Sequence, residues 1–319
     1  MRHRLASWLL RLFGVLIFVA AIGFGVTKAP DRPLETLVAR WAPPPSQFID
    51  LNGQLVHLRD VGPRDDPQPV VLIHGTSASL HTWEGWVSAL AQEHRVITFD
   101  LPGFGLTGPS VKGDYSDAAY IAFVGALLDR LKLARVTLGG NSLGGEIAWE
   151  FAASQPNRVG ALILVDAGGY AFTPASIPLG FRIARTPGLR HISRFVLPRS
   201  MIEKSVGNVY GDPSKVTPEL VDRYYELTLR EGNRAALLQR FAQLNAGEYT
   251  DRLASLQLPT LILWGGQDRL IPPDNGDAFA RDIKGSQLLR FPALGHVPHE
   301  EDPAATVRPV QAFLKSLHL

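Results

Sequence analysis

The chain has 319 residues, 45% apolar and 19% charged, too rich in apolar side chains for a disordered polymer and long enough for one large or two ordinary domains. Its 32 basic and 30 acidic residues leave a formal charge of +2, far from the clustered basic excess of a nucleic-acid binder, so no nucleic-acid partner is expected. The lack of cysteine excludes a disulfide scaffold, a thiolate metal site and a cysteine nucleophile.

From Leu5 to Val26 the chain is apolar except for Ser7, the indole nitrogen of Trp8 and Arg11. These 22 residues suffice to cross a bilayer if Arg11 snorkels to the headgroups. The uninterrupted part, Leu12 to Val26, has 15 residues, about the length of a signal-peptide core. Arg2, Arg4 and Arg11 flank it on the N-terminal side, and no clear cleavage site follows. Residues 1–28 are therefore expected to be an uncleaved signal anchor, with a cleaved signal peptide or a buried helix as alternatives. The positive-inside rule then puts the N-terminus in the cytoplasm and the bulk of a membrane-anchored chain on the extracytoplasmic, periplasmic side. Ala29 to Ser46 holds five prolines, and 29–46 reads as a stiff tether.

From Gln47 the pattern alternates. Phe48 to Asp50 and Leu55 to Leu58 flank Asn52-Gly53, a hairpin signal. Val70 to Ile73 reads as a buried strand, Ser79 to Glu93 as a helix, Arg95 to Phe99 as a strand and Tyr115 to Leu133 as a helix. A strand from Val136 runs into Gly139-Gly140. A helix over Ser142 to Ser154 and a strand over Ala161 to Val165 follow. Short apolar strands separated by helices predict an α/β fold with a mostly parallel sheet covered on both faces. The alternation lapses over 169–253, where Pro218 to Leu229 and Arg234 to Leu244 read as helices, which predicts a helical insertion. It resumes with strand Thr260 to Trp264, helix Asn275 to Ile283, strand Gln287 to Phe291 and helix Ala304 to Leu317. The expected core is thus 47–168 plus 254–319.

Gly140-Asn141-Ser142-Leu143-Gly144 matches G-x-S-x-G between a predicted strand and a predicted helix, the setting of a nucleophile elbow. The plainer reading is a glycine-rich turn with an N-capping serine. A serine needs a base, and the base an orienting acid. After Ser142, Asp268 follows strand Thr260 to Trp264, and His296 follows strand Gln287 to Phe291. Both fall on loops at the sheet edge that carries Ser142. Asp166 competes for the acid and His299 for the base. No metal or other cofactor is expected: there is no H-E-x-x-H, no carboxylate cluster and no thiolate set to hold one.

Five motifs in order, His74-Gly75-Thr76, Asp100 to Gly105, Gly140 to Gly145, Trp264 to Asp268 and Gly295-His296, resemble the α/β-hydrolase superfamily over about Phe48 to Leu317. The resemblance implies an α/β-hydrolase fold with a helical cap over 169–253. It implies Ser142 as nucleophile, His296 as base, Asp268 as orienting acid, and an oxyanion hole from the backbone N–H groups of Thr76 and Leu143. His74 and Asp100 look like loop braces. Ser142 argues against the dehalogenase and epoxide-hydrolase branches, which use aspartate. The elbow is similar to that of hydrolases cleaving carbon–carbon bonds in ring-fission products, but those carry Trp after the histidine, where this chain has Val297. A carboxylic ester hydrolase, acting on a small-molecule or lipid ester, is the first reading. The carbon–carbon hydrolase and a non-catalytic ligand-binding member of the fold are the alternatives. Trp83 and Trp86 are placed either along the pocket or in the core.

Overall fold

The computed structural model describes residues 8, 11–15, 18, 25, 27–186, 188, 195–244, 247 and 249–317. Its centre is an eight-stranded sheet in the order β1-β2-β4-β3-β5-β6-β7-β8. The strands are β1 Ser46–Leu51, β2 Gln54–Val61, β3 Val70–Ile73, β4 Val96–Phe99, β5 Val136–Asn141, β6 Val159–Val165, β7 Thr260–Gly265 and β8 Gln287–Phe291. The Asn52-Gly53 hairpin joins β1 to β2, and both central residues take positive φ, 57° and 86°, as a twisted two-residue turn requires. β2 pairs antiparallel with β4, and every later pairing is parallel.

The strand pleat divides the core in two. Val71 and Ile73 of β3 face one cluster, with Tyr120, Val124 and Leu127 of helix α3 (Asp117–Arg130) and Ile147 and Phe151 of helix α4 (Leu143–Ser154). Val70 and Leu72 face the other, as a period of two dictates. There they meet Trp86 and Leu90 of helix α2 (Glu84–Leu90) and Val310 and Phe313 of helix α11 (Pro303–Ser316). Four-residue strands with no polar face fold because helices cover both sides. Trp83 and Trp86 belong to this second cluster and are wholly buried, so of the two sequence readings the structure takes core packing.

Between β6 and β7 the described residues contribute no strand to the sheet. They form α5 Leu179–Arg185, α6 Arg199–Val209, α7 Pro218–Thr228 and α8 Asn233–Gln243. α6, α7 and the residues that follow them share a separate small cluster of Ile202, Val206, Tyr210, Val221 and Leu229, which also takes in Val297, whereas Ala236 of α8 joins the first core cluster. Helices α9 Asp274–Asp282 and α10 Pro298–Glu301 flank β8.

Two N-terminal expectations need correction. Among the described residues no helix is long and apolar enough to cross a membrane; a span needs about 20 apolar residues in one helix. The longest described run of the expected anchor, residues 11–15, is far shorter, and most of residues 1–28 lie outside the described residues. Anchoring through an N-terminal helix and the extracytoplasmic placement are therefore withdrawn. Nor does 29–46 stand apart from the domain as a stiff tether. Between its prolines it forms helix α1, Glu35–Trp41, with Leu37 buried. Asp31 pairs with Arg234, Arg234 donates to the carbonyl of Ala29, and Trp41 Nε1 donates to Glu226 at 2.7 Å. Apolar burial of Leu37 and these long-range pairs fix the segment to α7 and α8.

Candidate active site

The site forms at the carboxyl ends of β3, β5, β7 and β8, the edge where parallel sheets present their loops. At the end of β5, Ser142 is held at φ 54°, ψ −118°, a conformation L-residues avoid, so the surrounding turn must enforce it. A Cβ on Gly140 would lie 2.2 Å from the carbonyl carbon and oxygen of Gly144, and one on Gly144 would lie 2.1 Å from the carbonyl oxygen of Ile73. Only glycine lets α4 start this close to the sheet. The Ser142 carbonyl accepts from the N–H groups of Glu146 and Gly168. Leu143 opens α4, so its N–H is among the first-turn donors that no carbonyl within the helix can take.

His296 and Asp268 are both buried, and His296 Nδ1 lies 2.7 Å from Asp268 Oδ2. Asp268 Oδ1 accepts from the N–H groups of Leu270 and Ile271 at 2.8 and 3.0 Å. Nδ1 therefore donates to a fixed carboxylate, which leaves Nε2 as the basic nitrogen. Ser142, Leu143, Thr76 and His296 line one cavity of about 370 Å³. The five residues the sequence singled out thus meet at one edge: Ser142, His296, Thr76 and Leu143 on the cavity wall, Asp268 behind the histidine.

The competitors separate. His299 is fully buried, with Nε2 2.9 Å from Thr82 Oγ1 and its ring 4.1 Å from that of Trp83; it does not line this cavity. Burial, with the charges of His296 and Arg223, holds it well below the ordinary histidine range. Asp166 ends at the same spot as Asp268: one ligand atom each from Asp166, Asp268 and His296 lie within 4.8 Å of one another. The braces read from the sequence are also in place. His74 Nδ1 donates to the Gly75 carbonyl, and Nε2 accepts from Leu101 N–H. Asp100 takes N–H bonds from Leu80 and Leu106 at 2.7 Å and pairs with His57. Together they fix the loops on either side of Thr76.

Three residues escaped the sequence reading. Asn141 Nδ2 donates to the carbonyls of Val165 and His296, at 3.1 and 2.9 Å, and so ties the elbow to the His296 loop. The Glu301 carboxylate accepts from the N–H groups of Gly295, Gly211 and Asp212. Neither leaves a sequence signal, because their partners are backbone groups, which residues of any type supply. Glu146 did leave one: with Glu150 it forms an i, i+4 acidic pair on an otherwise apolar helix. The two converge with Asp117 closely enough to ligate a cation, but Arg240 already supplies the counter-charge, 2.8 Å from Asp117 and 3.7 Å from Glu146. Burial, then the charge of Asp117, pushes Glu146 up to about 7 and Glu150 up to about 9.

Comparison with known proteins agrees with this architecture. The chain is 31% identical to a 2-hydroxy-6-oxo-2,4-heptadienoate hydrolase of Pseudomonas putida, over 84% of this chain and 95% of the relative. It superposes on a meta-cleavage product hydrolase of Pseudomonas fluorescens with a TM-score of 0.73 at 25% identity, over 84% of this chain and 97% of the other. It superposes equally, 0.73 at 26% identity, on a structure described as a membrane phospholipase A, there over 99% of both chains. The family model for the alpha/beta hydrolase fold matches residues 68–303, and the chain belongs to that family of hydrolases.

Proposed function

We propose that this chain is a serine hydrolase that attacks an acyl carbonyl with Ser142 and cleaves a carboxylic ester of apolar character. The observation that carries the proposal is the elbow serine, half-buried at φ 54° on the wall of the cavity that His296 also lines, with His296 Nδ1 held 2.7 Å from Asp268. In this reading His296 Nε2 takes the Ser142 hydroxyl proton as Oγ adds to the carbonyl. The Thr76 and Leu143 N–H groups hold the oxyanion, commonly the largest electrostatic contribution in such sites. The tetrahedral adduct collapses, and His296 returns the proton to the departing alcohol. Water, deprotonated by the same histidine, then releases the acid from Ser142. The helices over 169–253 act as the cap, and the substrate's apolar part lies against Phe172, Ile177, Phe181, Ile183, Leu238 and Phe241.

Carbon–carbon bond hydrolysis is the second reading, and the names of the relatives back it better than they back the ester. Its dienoate substrates carry a carboxylate, which an apolar cavity accepts only beside a cation. Two arginines in the wall are already engaged, Arg240 with Asp117 and Arg234 with Asp31. That supports the neutral ester as the first reading. The cation the dienoate would use is Arg185, exposed at the wall with its guanidinium 5.5 Å above the Phe241 ring. The test is turnover of p-nitrophenyl esters from acetyl to palmitoyl, and of a 2-hydroxy-6-oxo-dienoate, by wild type, Ser142→Ala and Arg185→Ala. Ester turnover lost only in Ser142→Ala supports the ester reading. Dienoate turnover without ester turnover, weakened in Arg185→Ala, replaces it with the carbon–carbon reading.

A further inference from the structure

Asp166 ends β6 beside the site, and the steps above give it no role. Its carboxyl group is wholly buried, and its backbone is held at φ 43°, in the left-handed region a non-glycine residue rarely occupies. Oδ1 accepts from Gly265 N–H at 2.8 Å, and Oδ2 is buried with no donor on it. The neighbour is Asp268, whose two oxygens already accept from Leu270, Ile271 and His296. Two carboxylates this close in a buried site cannot both be ionised. Asp268, with three N–H donors, is the better stabilised anion, so the proton belongs on Asp166, and on Oδ2, because Oδ1 is taken up as an acceptor.

We propose that Asp166 is a protonated acid that donates its Oδ2 hydrogen to Asp268, and that it acts through Asp268 as a positioning residue for His296. The proposal rests on the triad reading above. The charged and titratable groups facing Asp166 are Asp268 on the loop after β7, His296 on the loop after β8, and Glu301 on α10. Burial, then the charge of Asp268, pushes Asp166 well above the ordinary carboxylate range. The extra hydrogen bond spreads the charge of Asp268 and limits how strongly it holds a proton on His296 Nδ1. A second full carboxylate at that point would stabilise histidinium, and a histidinium cannot take the serine proton.

The experiment uses the full chain as wild type, Asp166→Asn and Asp166→Ala. One readout is the rate at which a fluorophosphonate labels Ser142 as a function of pH, whose acid limb reports the proton affinity of His296. The other is the infrared C=O stretch of a protonated carboxylic acid in the resting protein. Asn keeps both an acceptor for Gly265 N–H and a donor for Asp268, so its labelling rate should stay within about threefold of wild type with an unmoved acid limb. Ala removes the donor, and its acid limb should move up by roughly one pH unit. The wild-type acid band should lose intensity in Asp166→Asn. Identical acid limbs in Asn and Ala, a hundredfold loss of labelling in Asn, or an unchanged infrared band each overturn the proposal. If Ala does not fold, the Asn profile and the infrared band decide. If wild type is not labelled at Ser142, the triad reading fails, and the infrared band alone decides the shared proton.

Discussion

Glu301 offers a test of how His296, the proposed base, is held. Its side chain is fully shielded from solvent, and its carboxylate accepts three backbone N–H bonds, from Gly295 at 2.8 Å and from Gly211 and Asp212 at 2.9 Å. Gly295 precedes His296, and Gly211 and Asp212 follow α6. In Glu301→Gln the amide oxygen can replace Oε2 and keep Gly211 and Gly295, while its NH2 then faces the Asp212 N–H donor to donor. One charge-assisted bond is lost, at a cost of about 2 kcal/mol. Glu301→Ala strands all three N–H groups. Its cost is about 3–5 kcal/mol, less than three separate charge-assisted bonds, because the carboxylate's own desolvation is relieved. His296 then rests on fewer supports, and kcat should fall by roughly 10- to 100-fold, the scale of a misplacement near 1 Å. Urea unfolding gives the first quantity and ester or dienoate turnover the second. An Ala variant with wild-type stability and kcat would refute the idea that this carboxylate positions the base.

Other outcomes follow from the same geometry. Ser142→Ala should lower turnover by about 10⁴-fold or more while leaving the unfolding midpoint near wild type. Asn141→Ala breaks two buried hydrogen bonds and should cost about 1–3 kcal/mol, with a fall in kcat that exceeds any change in KM. Gly144→Ala places its methyl 2.1 Å from the Ile73 carbonyl oxygen; the obstacle is backbone, so the variant should lose at least about 1–3 kcal/mol or fail to express as folded protein. Glu146 and Glu150 titrate higher in the folded chain than the ordinary 4.5, at about 7 and about 9. The folded state thus holds protons that the unfolded state has released, so their contribution is fully present below about 4.5 and is lost as pH rises toward 9. Glu150→Gln removes one of these groups, so in urea melts it should be more stable than wild type by about 1–3 kcal/mol at the alkaline end and close to it at the acid end.

The sheet and its flanking helices were legible because each has one dominant period. Val70 to Ile73 and Thr260 to Trp264 are short apolar runs bounded by breakers, and Asp117 to Arg130 repeats at helical spacing. Ser142, Asp268 and His296, the proposed triad, were legible for a related reason: each sits just after a strand, beside glycines that the backbone needs there. α5, α6 and α1 were not. Their apolar residues pack on each other, on the cavity or on α7 rather than on the sheet, so no single face stands out. α1 is further masked by the prolines around it, yet Pro33 and Pro43 bracket a seven-residue helix. The apolar start of the chain pointed to an anchor, but among the described residues no helix is long and apolar enough to cross a membrane. The choice of bond stayed open because pocket charge depends on which arginines are already paired. Asp31 and Asp117, the partners that engage Arg234 and Arg240, stand 203 and 123 positions before them.

The held histidine shows why those distant pairs matter. His296 is fastened from several sides: its N–H donates to the Val209 carbonyl at 2.7 Å, its carbonyl accepts from Asn141, and Gly295 beside it is held by Glu301. Val209 closes α6, Asn141 closes β5, and Glu301 also grips the turn after α6. A Cβ on Gly295 would lie 2.4 Å from the Val209 carbonyl oxygen, so the two segments touch backbone to backbone. A helix that moved away from the sheet at this point would have to break the His296–Val209 bond and strand the Glu301 carboxylate. Access for substrate therefore has to come from elsewhere on the cavity wall. α8 is itself tied to the core, through Arg240 to Asp117 and the Tyr115 carbonyl, but α5 meets it through Phe181 edge-on to Phe241 at 5.3 Å, an apolar contact far cheaper to open than a charge-assisted one.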